Sequence, residues 1–112
     1  MKGTHLGEFE ELVLLVVGVL YDQAYGIAIQ DAIKSKCKRS VSLSTVHSTL
    51  HRLEKKGFLI SRYDGATPKR GGRRKHLFRV SVAGERALVK SRNQRNELWQ
   101  SIPNMALGHT PS

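Results

Sequence analysis

The stretch LVLLVVGVL at positions 12–20 leaves this chain few ways to fold. Wound as a helix, it puts aliphatic side chains on nearly every side of the axis. Laid out as a strand, it is apolar on both faces. Either way it must be covered from more than one direction. It is too short to cross a bilayer, which takes about 20 residues. Glu8, Glu10 and Glu11 come just before it, where a secretory signal would carry bases. Acids suit the first turn of a helix, because the helix dipole is positive there. The pattern therefore predicts a helix over residues 8–22. At 112 residues the chain is one small domain with a limited core, so a second subunit is a natural cover for this helix. Phe9, Val13 and Val16 are the candidate contacts.

Downstream, QAYG at 23–26 interrupts the pattern, and a second amphipathic helix is expected over residues 26–37, with Ile29, Ala32 and Ile33 inward. Ser42 or Ser44 caps a third helix that runs to Lys56, with Val46, Leu50 and Leu53 on its core face. Gly57 is placed to end that helix in a left-handed conformation. Residues 58–64 alternate Phe58, Ile60 and Arg62 against Leu59, Ser61 and Tyr63, which predicts a strand. Residues 75–81 predict its partner, and 65–74 a long hairpin loop. Ser81 then caps a fourth helix over residues 82–101, Pro103 closes it, and the tail from 103 to 112 is expected to be disordered.

This order defines an α+β, mainly helical chain. Three helices followed by a two-stranded β-wing make a winged helix-turn-helix over residues 1–81, whose third helix fits a DNA major groove. The fourth helix, within residues 82–102, has only a weak apolar stripe, so it is expected to dimerise. Leu98, Trp99 and Ile102 are its candidate dimer or effector contacts. Two Trp rings facing each other would form a place for a small flat aromatic effector.

Charge names the partner. Residues 1–33 hold one base, Lys2, against five acids (Glu8, Glu10, Glu11, Asp22, Asp31), net −4. Residues 34–112 hold 18 bases against four acids (Glu54, Asp64, Glu85, Glu97), net +14. Solubility does not require such segregation, whereas double-stranded DNA as a partner does explain it. The loop TPKRGGRRKHLF concentrates the effect. Lys69, Arg70, Arg73, Arg74 and Lys75 are placed to displace counterions, and Gly71 and Gly72 to let the backbone approach phosphates. On the third helix, Ser44, Thr45, His47, Ser48, His51 and Arg52 lie off the apolar stripe and are read as the DNA-facing set. Arg52 has two readings that sequence leaves open: a contact to phosphate or guanine, or a structural pair with Glu8 or another acid of the first helix.

His47 and His51 have the i, i+4 spacing of metal ligands, but no third ligand completes a site, so DNA-facing residues are the better reading. The single cysteine, Cys37, excludes an internal disulfide and fits a reducing cytoplasm; its basic neighbours leave a redox-sensing role open. No Ser-His-Asp or Cys-His set has local logic, and no cofactor, metal or enzyme activity is called for.

Three segments carry a family resemblance over about residues 6–89. AYGIAIQDAI, SLSTVHSTLHRLEKKGFL and RGGRRKHLFRVSVAGERAL, in that order, resemble the PadR family of bacterial transcriptional regulators. They match its Tyr-Gly turn into helix two, its recognition segment, and its wing with the start of the last helix. Ser44 and His47 stand where the family usually has Gly and Tyr, so base preference near His47 is expected to differ from relatives. The resemblance implies a homodimer built by the first and last helices, some members releasing DNA on binding a small aromatic compound. It further implies a ligand-responsive repressor of the short type, in the bacterial cytoplasm and on the nucleoid when DNA-bound. An interaction module docking an acidic partner, or a nonspecific nucleic-acid-binding protein, would share the same charge.

Overall fold

The computed structural model describes residues 5–64 and 75–108. Its elements are α1 (Glu8–Leu20), α2 (Gly26–Cys37), α3 (Leu43–Lys55), β1 (Leu59–Asp64), β2 (Lys75–Val80) and α4 (Val82–Ser101). α1 stops short of residue 22 because Tyr21 turns to φ 54°, and a 3-10 turn, Tyr21–Gln23, leads into α2. Ser42 rather than Ser44 caps α3, its hydroxyl accepting the Thr45 amide at 3.1 Å. Gly57 follows α3 at φ 83°, a left-handed conformation that favours glycine.

The core is built on α1. Val13, Leu14, Val16 and Val17 pack with Ile29 and Ile33 of α2, Val46, Leu50 and Leu53 of α3, and Leu59 and Phe78 of the hairpin. This corrects one sequence expectation. Val13 and Val16 are 0% and 4% exposed within a single subunit, so they are not available to a second copy. The helix is covered on several sides by its own chain, because α2, α3, β2 and α4 all contact it. What it leaves at the surface is Leu15 and Val19.

β1 and β2 pair antiparallel in the register Leu59↔Val80 to Asp64↔Lys75. The alternating segment forms the expected strand, and its inward side begins at Leu59. Leu59 is buried and Ile60 is 56% exposed, while Phe58 is buried before the strand begins. The turn at Gly57 rotates the chain, and the Phe58 amide donates to the Leu53 carbonyl (2.9 Å), which hands the inward face to Leu59. β2 is anchored on its other side by the Phe78 amide, which donates to the Ala24 carbonyl at 2.9 Å.

Ser81 fastens α4 to the end of α3. Its amide donates to the Phe58 carbonyl (3.0 Å), its hydroxyl donates to the Gly57 carbonyl (2.6 Å), and the same hydroxyl accepts from the Gly84 amide (3.0 Å). Further along, Ser91 and Arg95 donate to the Glu11 carboxylate at 2.8 and 3.0 Å, which ties α4 to α1. After Arg95 the side chains of α4 are exposed all round. The expected disordered tail instead begins with a 3-10 turn, Asn104–Leu107, closed by Gly108 at φ 77°.

The tightest junction is at Gly84, where an added Cβ would overlap the Phe58 carbonyl oxygen and press on the Val80 side chain. Neither the backbone carbonyl nor the first turn of α4 can give way without breaking the Ser81 bonds. Gly84→Ala is therefore expected to lower stability by about 1–3 kcal/mol. Urea unfolding of the variant beside the wild type checks it.

Candidate nucleic-acid interface

α3 buries Val46, Thr49, Leu50 and Leu53 along one side. The opposite side is the line 44, 48, 51 and 55, spaced by four, three and four residues, so it is a single helical stripe. Ser44, Ser48, His51 and Lys55 occupy it and all four are exposed. Lys55 extends the stripe by the i+4 step from His51. The stripe's two flanks differ. Thr45 and Arg52 lie toward α1, and His47 toward α2. Local bonds order the stripe's beginning: Ser42 Oγ donates to Thr45 Oγ1 at 2.8 Å, Ser48 Oγ to the Thr45 carbonyl at 3.2 Å, and buried Thr49 Oγ1 to the same carbonyl at 2.9 Å.

Arg52 answers the alternative that sequence left open. Its Nε is 3.2 Å from Glu10, so the acid of α1 that it meets is Glu10; Glu8 instead pairs with Arg39 at 2.7 Å. Arg52 is still half exposed, so one edge of the guanidinium faces solvent beside the stripe. Glu10 is a buried carboxylate with three kinds of partner. It accepts from Lys56 Nζ at 2.7 Å, from Arg52, and from the Gly7 amide at 2.9 Å. Burial works against its charge, but Lys56, the Gly7 amide and Arg52 together outweigh that, and the carboxyl is held below its ordinary value. Lys56 also donates to the His5 carbonyl at 2.7 Å, which latches the segment before α1 onto the end of α3.

Beside α3 stands the hairpin. Tyr63 stacks on His76 with ring centroids 4.3 Å apart, and His76 meets Phe78 at 4.4 Å, so three rings run up one face of the ribbon. Lys75, at the top of β2, holds its ammonium 4.7 Å from the centre of the Tyr25 ring, at the start of α2. Tyr25 thus joins the interface from an element that the charge pattern does not mark. Lys69, Arg70, Gly71, Gly72, Arg73 and Arg74 lie outside the described residues.

The remaining candidates are dispersed. Phe9 is half-buried inside the subunit, with the Arg39 guanidinium 5.3 Å from its ring centre. Leu98 and Trp99 are 68% and 62% exposed on the free end of α4, and Ile102 is half-buried. Two grooves flank α4. One of about 390 Å³ is lined by Leu15, Leu88, Val89, Glu85 and Arg92; the other, of about 460 Å³, by Leu6, Ala87, Leu98, Lys90 and Arg95. Cys37 is half-buried at the end of α2. Among the described residues no three His, Cys, Asp or Glu side chains converge as a metal site requires, and no helix is long and apolar enough to cross a membrane.

A three-helix core with an exposed third helix, and an antiparallel ribbon beside it, is a winged helix-turn-helix. No family model and no curated protein matches the sequence. Solved structures do share the fold. A PadR-like transcription factor from Bacteroides fragilis is 20% identical, covering 83% of this chain and 84% of its own, with a TM-score of 0.71. A transcriptional regulator from Clostridium thermocellum is 26% identical over 81% of this chain and 79% of its own, TM-score 0.60. PadR of Bacillus subtilis, solved in complex with operator DNA, is 18% identical over 90% of this chain and 49% of its own, TM-score 0.57. The fold of this chain is that of the PadR-like transcriptional regulators.

The depressed carboxyl of Glu10 fixes a sign. A group whose folded pKa lies below its unfolded one stabilises the fold above the unfolded value, and that contribution is lost as pH falls through the folded value. Glu10→Gln is expected to destabilise the protein at pH 7 by about 1–2 kcal/mol, discounted because both cationic partners are partly exposed. The gap between mutant and wild type should narrow as pH falls below the ordinary carboxylate range and the wild-type carboxylate protonates too. Thermal unfolding across pH 3–7 measures both.

Proposed function

We propose that this chain is a sequence-specific DNA-binding transcriptional regulator, acting as a homodimer and a ligand-responsive repressor on a pseudo-palindromic operator. The observation that carries the DNA reading is the stripe Ser44–Ser48–His51–Lys55: two hydroxyls, an imidazole and an ammonium, all exposed, on a helix whose other side is locked into the core. Such side chains reach base edges and phosphates when the helix enters a major groove. The net +14 of residues 34–112 and the five bases around Gly71 and Gly72 supply the phosphate affinity. The fold is shared with a PadR solved in complex with operator DNA, which supports the DNA reading.

Dimerisation is supported by the far end of α4, where Leu98 and Trp99 are exposed with no other described segment over them, and by Leu15 at the surface of α1. Ligand response is supported by the grooves beside α4, where a small aromatic effector would alter how two subunits meet and so the spacing of their α3 helices. Repression rests on the family resemblance. The site of action is the cytoplasm, on DNA.

The test is selection from random duplex DNA with the purified protein at about 150 mM salt, where exposed charges are screened beyond about 8 Å. An inverted repeat with half-sites about one helical turn apart is the expected result. DNA retained without a motif would instead mark a nonspecific binder, and no retention would favour an acidic protein partner. Replacing Arg73 and Arg74 by Ala should weaken all sequences alike and reduce the slope of log affinity against log salt by about 0.9 for each lost phosphate contact. A changed motif with an unchanged slope would overturn the division between loop and helix.

A further inference from the structure

Thr45 and Arg52 depart from the stripe toward α1, and His47 departs from it toward α2. An added Cβ at Gly26, the first residue of α2, would lie 2.7 Å from His47 Cε1 and 2.9 Å from Nε2, with Leu43 Cδ1 at 3.5 Å. The far edge of the imidazole therefore rests on bare backbone. Whichever way round the ring is placed, the same edge faces Gly26. Gly26 is buried, and His47 is what covers it on this side, while the rest of the ring stays exposed.

We propose that Gly26 is a specificity-positioning residue: it seats the His47 ring in the junction of α2 and α3, and so sets which part of that ring meets DNA. In the seated position the Cε1–Nε2 edge is withdrawn from the groove-facing surface, and His47 offers its near half and a fixed shape there. Reading toward the centre of α3 then falls to Ser44, Ser48 and His51. Any side chain at position 26 forces the ring out of its seat. Here the clash is with the end of a rotatable side chain, unlike that at Gly84, which is with a backbone carbonyl. Position 26 has no positive φ, and Ala is the better helix former there, so Gly26→Ala should fold and move His47 rather than the backbone. The inference rests on the DNA reading proposed above.

The experiment is the same duplex selection carried out on wild type, Gly26→Ala, His47→Ala and the double variant, with unfolding midpoints measured for each. Gly26→Ala should change base preference at one step of each half-site by about fivefold or more, with the salt slope unchanged. In the His47→Ala background it should add no further change, because the ring it acts through is gone. A nuclear Overhauser contact between His47 Hε1 and the Gly26 α-protons should be present in the wild type, which tests the seat independently of any variant's folding. The inference alone is overturned if the wild type selects a motif that Gly26→Ala leaves intact, if Gly26→Ala shifts the motif equally without His47, or if the contact is missing. A wild type that selects no motif overturns the DNA reading and this inference with it.

Discussion

Glu10 holds the reading helix to the rest of the molecule. Its carboxylate sits nine-tenths buried in α1 and draws in Lys56 and Arg52 from the far end of α3, together with the Gly7 amide from the segment that precedes its own helix. A buried carboxylate is costly unless its lone pairs are filled, and here three donors from two elements fill them. The bond network has a directional effect that apolar packing alone lacks. Leu50 and Leu53 keep α3 against the core but would tolerate some rotation about its axis, whereas the Arg52 and Lys56 bonds to one carboxylate resist it. The outward direction of Ser44, Ser48 and His51 depends on that restraint.

The structure separates two electrostatic jobs within one basic surface. Arg52, Lys56, Arg39 and Arg95 all have carboxylate partners on α1, at Glu10, Glu8 and Glu11. Three of the five early acids, Glu8, Glu10 and Glu11, are thus counterparts of cations within the subunit. Lys55 and Lys75 are directed elsewhere, the first along the exposed stripe and the second over Tyr25. The −4 and +14 halves seen in the sequence are therefore partly an internal pairing and partly a surface addressed to a polyanion.

Much of this was legible before any coordinates. The bounds of α2 and α4, the Ser81 cap, the left-handed Gly57 and the core face Val46–Leu50–Leu53 all follow from local rules, because each depends on neighbours a few residues away. The errors lie where long-range packing decides. Val13 and Val16 belong to a run apolar on every side, and such a run cannot say which side its own chain will cover. The alternation of β1 marks a strand without saying which face turns inward, because Phe58, which precedes it, is set by the Gly57 turn and not by the strand. Glu10 was one of three nearby acids with no mark to distinguish it, and Tyr25 entered the interface through a contact 50 residues distant in sequence. The seat of His47 on Gly26 is likewise invisible to spacing, since it joins two helices.

The Ser81 fastening has a mechanical meaning. The hairpin leaves the chain at Gly57 and Phe58 and returns to the same point, where Ser81 and Gly84 bolt the first turn of α4 to the residues that end α3. α4 then extends for 20 residues, about 30 Å, much of it clear of the core. It has a second hold as well, because Ser91 and Arg95 bond to Glu11 of α1, so only the last residues of α4 stand free. A rod braced at two places transmits a push better than it pivots. A displacement imposed at Leu98 and Trp99 bears on α1 through Glu11, and on the end of α3 and the root of the ribbon through Ser81.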